Sequence, residues 1–241
     1  MSGFFGVAAA HDCISDLFFG TDYHSHLGTV RGGLAARNSN GIERHIHDIT
    51  SAQFRSKFEE DIARMHGGYG IGIISDYEDQ PLIIRSQLGT FAIVTVGRIN
   101  NLAKIVREAF SSRTAHFSEM SGGEINPTEV VAMLINREAT FTAGLEHAQE
   151  VVEGSCSIML LTDEGIYVAR DRLGRTPVVL GRKEGAWAAT LESCALPNLG
   201  FEVDRFLGPG EIVRLTPEGA EQMKPPGMKM RICGFLWVYY G

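Results

Sequence analysis

The stretch Ser157–Arg170, SIMLLTDEGIYVAR, is two apolar runs with β-forming residues, separated by Asp163-Glu164-Gly165. Acid-acid-glycine between two such runs is hairpin chemistry. A link this short cannot cross over a sheet, so the strands it joins must be antiparallel. The pattern recurs on both sides. Residues 176–192, TPVVLGRKEGAWAATLE, repeat it around Lys183-Glu184-Gly185, and residues 210–223, GEIVRLTPEGAEQM, around Pro217-Glu218-Gly219. Upstream, residues 81–99, PLIIRSQLGTFAIVTVGRI, turn at Gln87-Leu88-Gly89-Thr90. The opening MSGFFGV reads as one more apolar strand, led by Ser2.

Helical spacing appears between the pairs. Phe54, Phe58, Ile62 and Met65 form one stripe that stops at Gly67-Gly68, and Leu102, Ile105, Val106 and Phe110 form another. Asn126, Pro127 and Glu129 give a cap, a first helical residue and an acidic partner three positions after the cap. Residues 145–154, LEHAQEVVEG, complete the set. Antiparallel sheet in two layers with helices outside is the packing that buries all these faces.

The 241 residues are 44% hydrophobic with a net charge of -7, enough chain for one large core and without the basic stripe that nucleic acid or an anionic membrane would favour. No apolar run reaches bilayer-spanning length, and the N-terminus lacks a signal-peptide pattern. Cys13, Cys156, Cys194 and Cys233 are scattered. They read as reduced thiols of a cytoplasmic protein, not as a disulfide frame or a zinc site. Residues 224–241, KPPGMKMRICGFLWVYYG, break the pattern: a proline-rich connector leads into an apolar run with no partner strand. Phe235 to Tyr240 at a free end would expose a large apolar patch, so the run reads as the first strand of a further domain.

Several stretches together resemble the glutaminase domain of the amidophosphoribosyltransferases, class II glutamine amidotransferases that use an N-terminal nucleophile. YVARDRLGRTPVVLG (167–181) is similar to the family's ARDPLGIRPLVLG, and residues 189–215, ATLESCALPNLGFEVDRFLGPGEIVRL, to its ASESCAL…PGE segment. LFFGTDYHSHLGTVRGGLA (17–35) resembles LYYGLYALQHRGQESAGIA, sharing His26, Gly28 and Gly33. MRICGFLWVYYG (230–241) resembles the CIFEYVYFARPDS stretch that opens the family's phosphoribosyltransferase domain. The resemblance implies an α+β fold, the four-layer αββα N-terminal-nucleophile hydrolase sandwich. It implies a glutamine amidotransferase type 2-like domain over residues 1–223, and a linker with the truncated start of a phosphoribosyltransferase domain over 224–241. That second domain would be the partner, in a homo-oligomer. No cofactor is implied for the glutaminase half.

The resemblance also implies a reaction, ammonia release from glutamine for purine nucleotide synthesis, and four parts that perform it. The nucleophile is a cysteine whose own α-amine acts as base. Here the position holds Ser2, behind Met1, and a hydroxyl is the poorer nucleophile. The carboxylate clamp is the arginine of a GHxRY-type segment. The aligned GIGIISDYED puts Ile73 at the histidine, Ser75 at the arginine and Asp76 after it. The oxyanion donors come from HNGNL, aligned with RINNL, so Ile99 replaces the asparagine and Asn100 the glycine, with Asn101 following. The acid that holds the α-amine belongs to an SDSE-like segment, and NPTE puts Pro127 there.

The scaffold motifs are kept and each glutamine-binding part is altered. The expected function is therefore an amidophosphoribosyltransferase-type domain without glutaminase activity, retained for architecture or regulation, with Ser2 a relic. Two other classes remain in view: an amidohydrolase that uses Ser2, and a binding module built on the altered pocket. The histidine pairs His24/His26 and His45/His47 lack a third ligand at fixed spacing, so no metal is expected. Cys13 reads as a buried thiol. Arg170, Arg172 and Arg175 sit in a loop that the resemblance makes structural and turned towards the partner domain.

Overall fold

Phe4 and Phe5 set the layering. Adjacent residues of a strand point to opposite faces, and both rings are fully buried, in different cores. A strand with apolar neighbours on both sides must lie in the middle of a layered molecule. The computed structural model describes residues 2–111, 117–118, 120–121, 123–234 and 238. Of the expected strand at Phe235–Tyr240 only Val238 lies within the described residues, and it is helical, as is Gly234, not extended.

In chain order the first half holds β1 (Gly3–Ala9), α1 (Ile14–Asp22), β2 (Arg31–Asn38), β3 (Gly41–Asp48), α2 (Phe54–Ile62), β4 (Tyr69–Ser75), β5 (Leu82–Ser86), β6 (Gly89–Ile99) and α3 (Leu102–Ser111). A short hairpin, β7 (Met120–Ser121) and β8 (Glu124–Ile125), leads to α4 (Pro127–Ile135) and α5 (Phe141–Val151). The rest is β9 (Gly154–Thr162), β10 (Gly165–Ala169), β11 (Val179–Lys183), β12 (Ala186–Thr190), α6 (Ala195–Asn198), β13 (Glu202–Phe206), β14 (Ile212–Thr216) and β15 (Gly219–Lys224).

One sheet runs β13-β11-β12-β1-β4-β2-β3 and the other β15-β14-β10-β9-β6-β5, with every pairing antiparallel. All four hairpins read from the sequence are present. Phe4, Ile71 and Ile73 meet Val94, Met159 and Val168 between the sheets. On the outer face of the first sheet, Leu17 and Phe18 of α1, Phe54 and Phe58 of α2 and Leu196 of α6 pack on Phe5, Val7 and Leu34. On the outer face of the second, Ile105 of α3, Val130 and Leu134 of α4 and Leu145 of α5 pack on Ile93, Ile158 and Leu160. The result is the expected αββα sandwich. Among the described residues no helix is long and apolar enough to cross a membrane.

The segment after β4 is tied to the second sheet by a side chain. Gln80, buried, donates its amide N–H to Thr95 O (3.2 Å) and accepts from Thr95 N–H at 2.7 Å, so it pairs with β6 as a strand residue would. That contact fastens the segment after Ser75 to the second sheet.

Candidate active site at the end of the sandwich

Ser2 lies one residue before β1 and is partly buried. Phe4 faces the space between the sheets, and Gly6 sits there against Met159. The alternation therefore turns Ser2 inward at the end of the sandwich. Gly3 pairs with Ile74, which puts Ser75 one step further along β4, beside Ser2. Ser75 in turn pairs with Arg31, and Arg31 with Asp48. Across one end of the first sheet the row thus reads Ser2, Ser75, Arg31, Asp48.

The row is occupied by its own partners. Ser75 is fully buried. Its hydroxyl donates to Glu78 Oε2 (3.2 Å) and accepts from the N–H groups of Tyr77 and Glu78, which holds the turn after β4. Asp76 accepts from Thr29 N–H at 2.8 Å. The Arg31 guanidinium holds two carboxylates, Asp79 through Nε at 2.8 Å and Asp48 through Nη1 at 2.5 Å. Asp48 also accepts from the N–H and hydroxyl of Thr50. These bonds, ahead of the Arg31 charge, hold its pKa down to about 2. A groove of about 370 Å³ opens beside the pair, lined by Arg31, Arg44, Ile46, Asp48 and Asp79.

The second sheet contributes the end of β6. Ile99 is partly buried in the outer core under the helices, facing away from the space between the sheets. The Asn100 N–H donates to Glu153 O at 2.7 Å. Asn101 donates its amide to Val151 O (2.8 Å) and accepts from Glu153 N–H (3.0 Å), clamping the link from α5 to β9. Among the described residues no hydrogen bond joins Ser2 to either asparagine. Pro127 opens α4 behind its cap Asn126, whose Oδ1 accepts from Thr128 N–H while its Nδ2 donates to Asp79 O at 3.0 Å. The start of α4 is thus tied to the Asp79 backbone.

His24 and His26, two residues apart after α1, behave differently. His24 is fully buried, with Nδ1 2.9 Å from Gly20 O and Nε2 3.0 Å from the Thr190 hydroxyl. Burial pushes its pKa down to about 4. A Cβ on Gly3 would fall 2.7 Å from this ring, so His24 backs the residue directly after Ser2. His26 is exposed and pairs with Glu192 at 3.1 Å, and the Cys194 thiol points to the same carboxylate at 3.8 Å. His45 and His47 share Asp61 on the face of β3 that meets α2. Among the described residues no group of three or more metal-ligating side chains is arranged to hold an ion.

Arg31 and Asp79 were not singled out as site residues by sequence, and His24 only as one of a histidine pair. Only the β2–β4 register brings Arg31 opposite Ser75. No spacing along the chain carries that information.

The model of the glutamine amidotransferase domain family matches residues 68–197. The amidophosphoribosyltransferase of Bacillus subtilis is 24% identical over 99% of this chain and 51% of its own length, and that of Archaeoglobus fulgidus is 26% identical over 89% and 48%. The chain spans about half the length of the curated relatives it matches. Among solved structures, the B. subtilis glutamine phosphoribosylpyrophosphate amidotransferase superposes with a TM-score of 0.86 at 22% identity, over 99% of this chain and 52% of that one. A glutamine aminotransferase class-II domain protein from Silicibacter pomeroyi gives 0.60 at 14% identity, over 93% and 100%. With a sandwich of two antiparallel sheets between helices and a family match across more than half of its residues, the chain belongs to the glutamine amidotransferase domain family.

Proposed function

We propose that this chain is the amidotransferase-type half of an amidophosphoribosyltransferase-like protein, and that it does not hydrolyse glutamine but serves as a structural or regulatory domain beside a phosphoribosyltransferase half. The observation that carries this reading is the commitment of the β6 end. The Asn100 N–H, the Asn101 amide and the Ile99 side chain are all engaged with the outer layer. Loss of one oxyanion donor costs about a hundred- to a thousandfold in rate. The hydroxyl of Ser2 has no hydrogen-bonded base among the described residues. Ser75 and Pro127 supply neither of the charges that an α-amino acid head group needs.

The test is ammonia release from glutamine by the protein with Met1 removal verified by intact mass. The expected result is no release above background. Turnover within a few-fold of an ordinary glutaminase domain overturns the proposal.

One observation favours a second reading, a binding module. In the segment resembled by residues 17–35 the family carries serine where this chain has Arg31, and in the GHxRY-type segment it carries arginine where this chain has Ser75. The two positions are register partners on one face. The exchange keeps a guanidinium at the end of the sheet, one strand over. A ligand with a carboxylate would compete there with Asp48 and Asp79. A rise in melting temperature with glutamate, absent in Arg31→Met, would favour this reading, since a ligand that binds only the folded chain stabilises it by mass action.

A further inference from the structure

Behind Asn100 and Asn101, on the outer face of the second sheet, lies a separate cavity of about 160 Å³. The end of α5, the start of β9 and the loop 171–175 enclose it. Its floor is apolar: Ala148, Val152, Cys156 and Ile158 are all buried. Burial, ahead of the charges of Asp171 and Glu78, pushes the Cys156 thiol up to about 12, so it is a neutral part of that floor. A dry cavity of about 150 Å³ lined by such side chains is large enough for a benzene ring.

The rim is polar, and the three arginines of the loop divide their roles. Arg170 is buried and donates to the carbonyls of Gly174, Thr176 and Leu207, which makes it scaffold. Arg175 lines the cavity and reaches across it to Gly154 O. Arg172 lines it too, is exposed, and enters no ion pair among the described residues. Of the two carboxylates at the rim, Asp171 is turned into its own loop, accepting from Leu173 N–H, Thr176 N–H and the Thr176 hydroxyl. Glu153 is exposed to solvent. Two guanidiniums over an apolar floor of ring size are complementary to an amphiphilic anion.

We propose that this cavity is a binding site for a small organic anion, a ring-sized apolar body seated on Val152, Cys156 and Ile158 with its carboxylate at Arg172 and Arg175. The wall it would contact, residues 152–154, is the segment that Asn100 and Asn101 hold from the other side. A ligand here would therefore bear on the end of β6 without touching Ser2. The site is independent of whether glutamine is hydrolysed.

Benzoate is the probe and benzamide its neutral counterpart, titrated into the full chain with the methyl groups of Val152 and Ile158 followed by NMR. Benzoate is expected to shift both methyls saturably and to bind about tenfold or more tightly than benzamide, the size of one charge-assisted hydrogen bond. Arg172→Ala should reduce that preference several-fold, with Arg175 still present, and leave benzamide unchanged. Ala148→Phe, which fills the cavity, should abolish binding of both. If that variant does not fold, Cys156→Met serves the same purpose with less added volume. No shift up to the solubility limit of benzoate, equal binding of the two probes, or shifts confined to another surface overturns the proposal. An ammonia assay on the same sample reads the glutaminase question separately.

Discussion

His24 shows how one buried side chain ties the nucleophile position to pH. Its ring is fully buried behind Gly3 with both nitrogens in hydrogen bonds, and burial brings its pKa to about 4. In the unfolded chain the same ring titrates near 6.5. The unfolded state therefore takes up the proton first as pH falls. The contribution of this group is fully present above about pH 6.5 and is lost as the pH drops toward 4. A difference of about 2.5 pKa units corresponds to ~3 kcal/mol. Urea unfolding of the wild type and of His24→Gln should show the gap between them shrinking by about that amount from pH 7.5 to pH 4. Parallel pH profiles would mean that His24 is not buried neutral. Sequence placed His24 in a possible metal pair with His26. Burial of the His24 ring and the exposed ion pair of His26 with Glu192 separate the two, and neither is visible in an i, i+2 spacing.

At the level of elements, the β9–β10 hairpin was legible because both of its strands are apolar and mostly buried around the Asp163-Glu164 turn, and the others because a glycine turn follows or precedes at least one such strand. The pair β2–β3 was not legible, for a physical reason. β3 is a sheet edge carrying His45, His47, Glu43 and Arg44, so it lacks the apolar alternation that marks a half-buried strand. β2 carries Gly32 and Gly33, poor strand formers that are nonetheless required here. A Cβ on Gly33 would fall 1.8 Å from Gln80 O. Gly33→Ala must therefore displace the Gln80–Pro81 segment. It should destabilise the fold by about 1–3 kcal/mol or more, measured by chemical unfolding. Gln80→Ala tests the same junction from the other side. It leaves the N–H and C=O of Thr95 without their partner and should cost about 2–4 kcal/mol. A loss below about 0.5 kcal/mol, the usual size for an inconsequential surface change, would show that Gln80 does not join the two sheets. Helix α1 escaped notice similarly: Gly20 lies within it because a Cβ there would meet the Phe5 ring at 2.5 Å.

On the scale of the whole molecule, the candidate site is divided between two sheets that share one core. Ser2, Ser75 and Arg31 belong to one sheet and Ile99 to Asn101 to the other. Residue identities at these positions could be read from the chain. Their commitments, such as Asn101 to the α5–β9 link, depend on pairings between distant segments and could not. This division predicts that repair on one sheet is insufficient. Ser2→Cys alone, with Met1 removed, restores a nucleophile but leaves Ile99 facing the outer core and the Asn100 N–H bound to Glu153. Its ammonia release from glutamine should remain at background. Adding Arg31→Ser and Ser75→Arg returns the guanidinium to β4, and this triple variant should gain glutamine binding, visible as a raised melting temperature. Its turnover should still fall short by about a hundred- to a thousandfold, because the donor at position 99 is absent. Ile99→Asn added to these three would place its amide in the outer core, away from Ser2, and leave the Asn100 N–H on Glu153 O, so it should not raise ammonia release further. Turnover by Ser2→Cys alone would show that the donors at the end of β6 are not committed as the hydrogen bonds indicate, and the non-hydrolytic reading would fall with them.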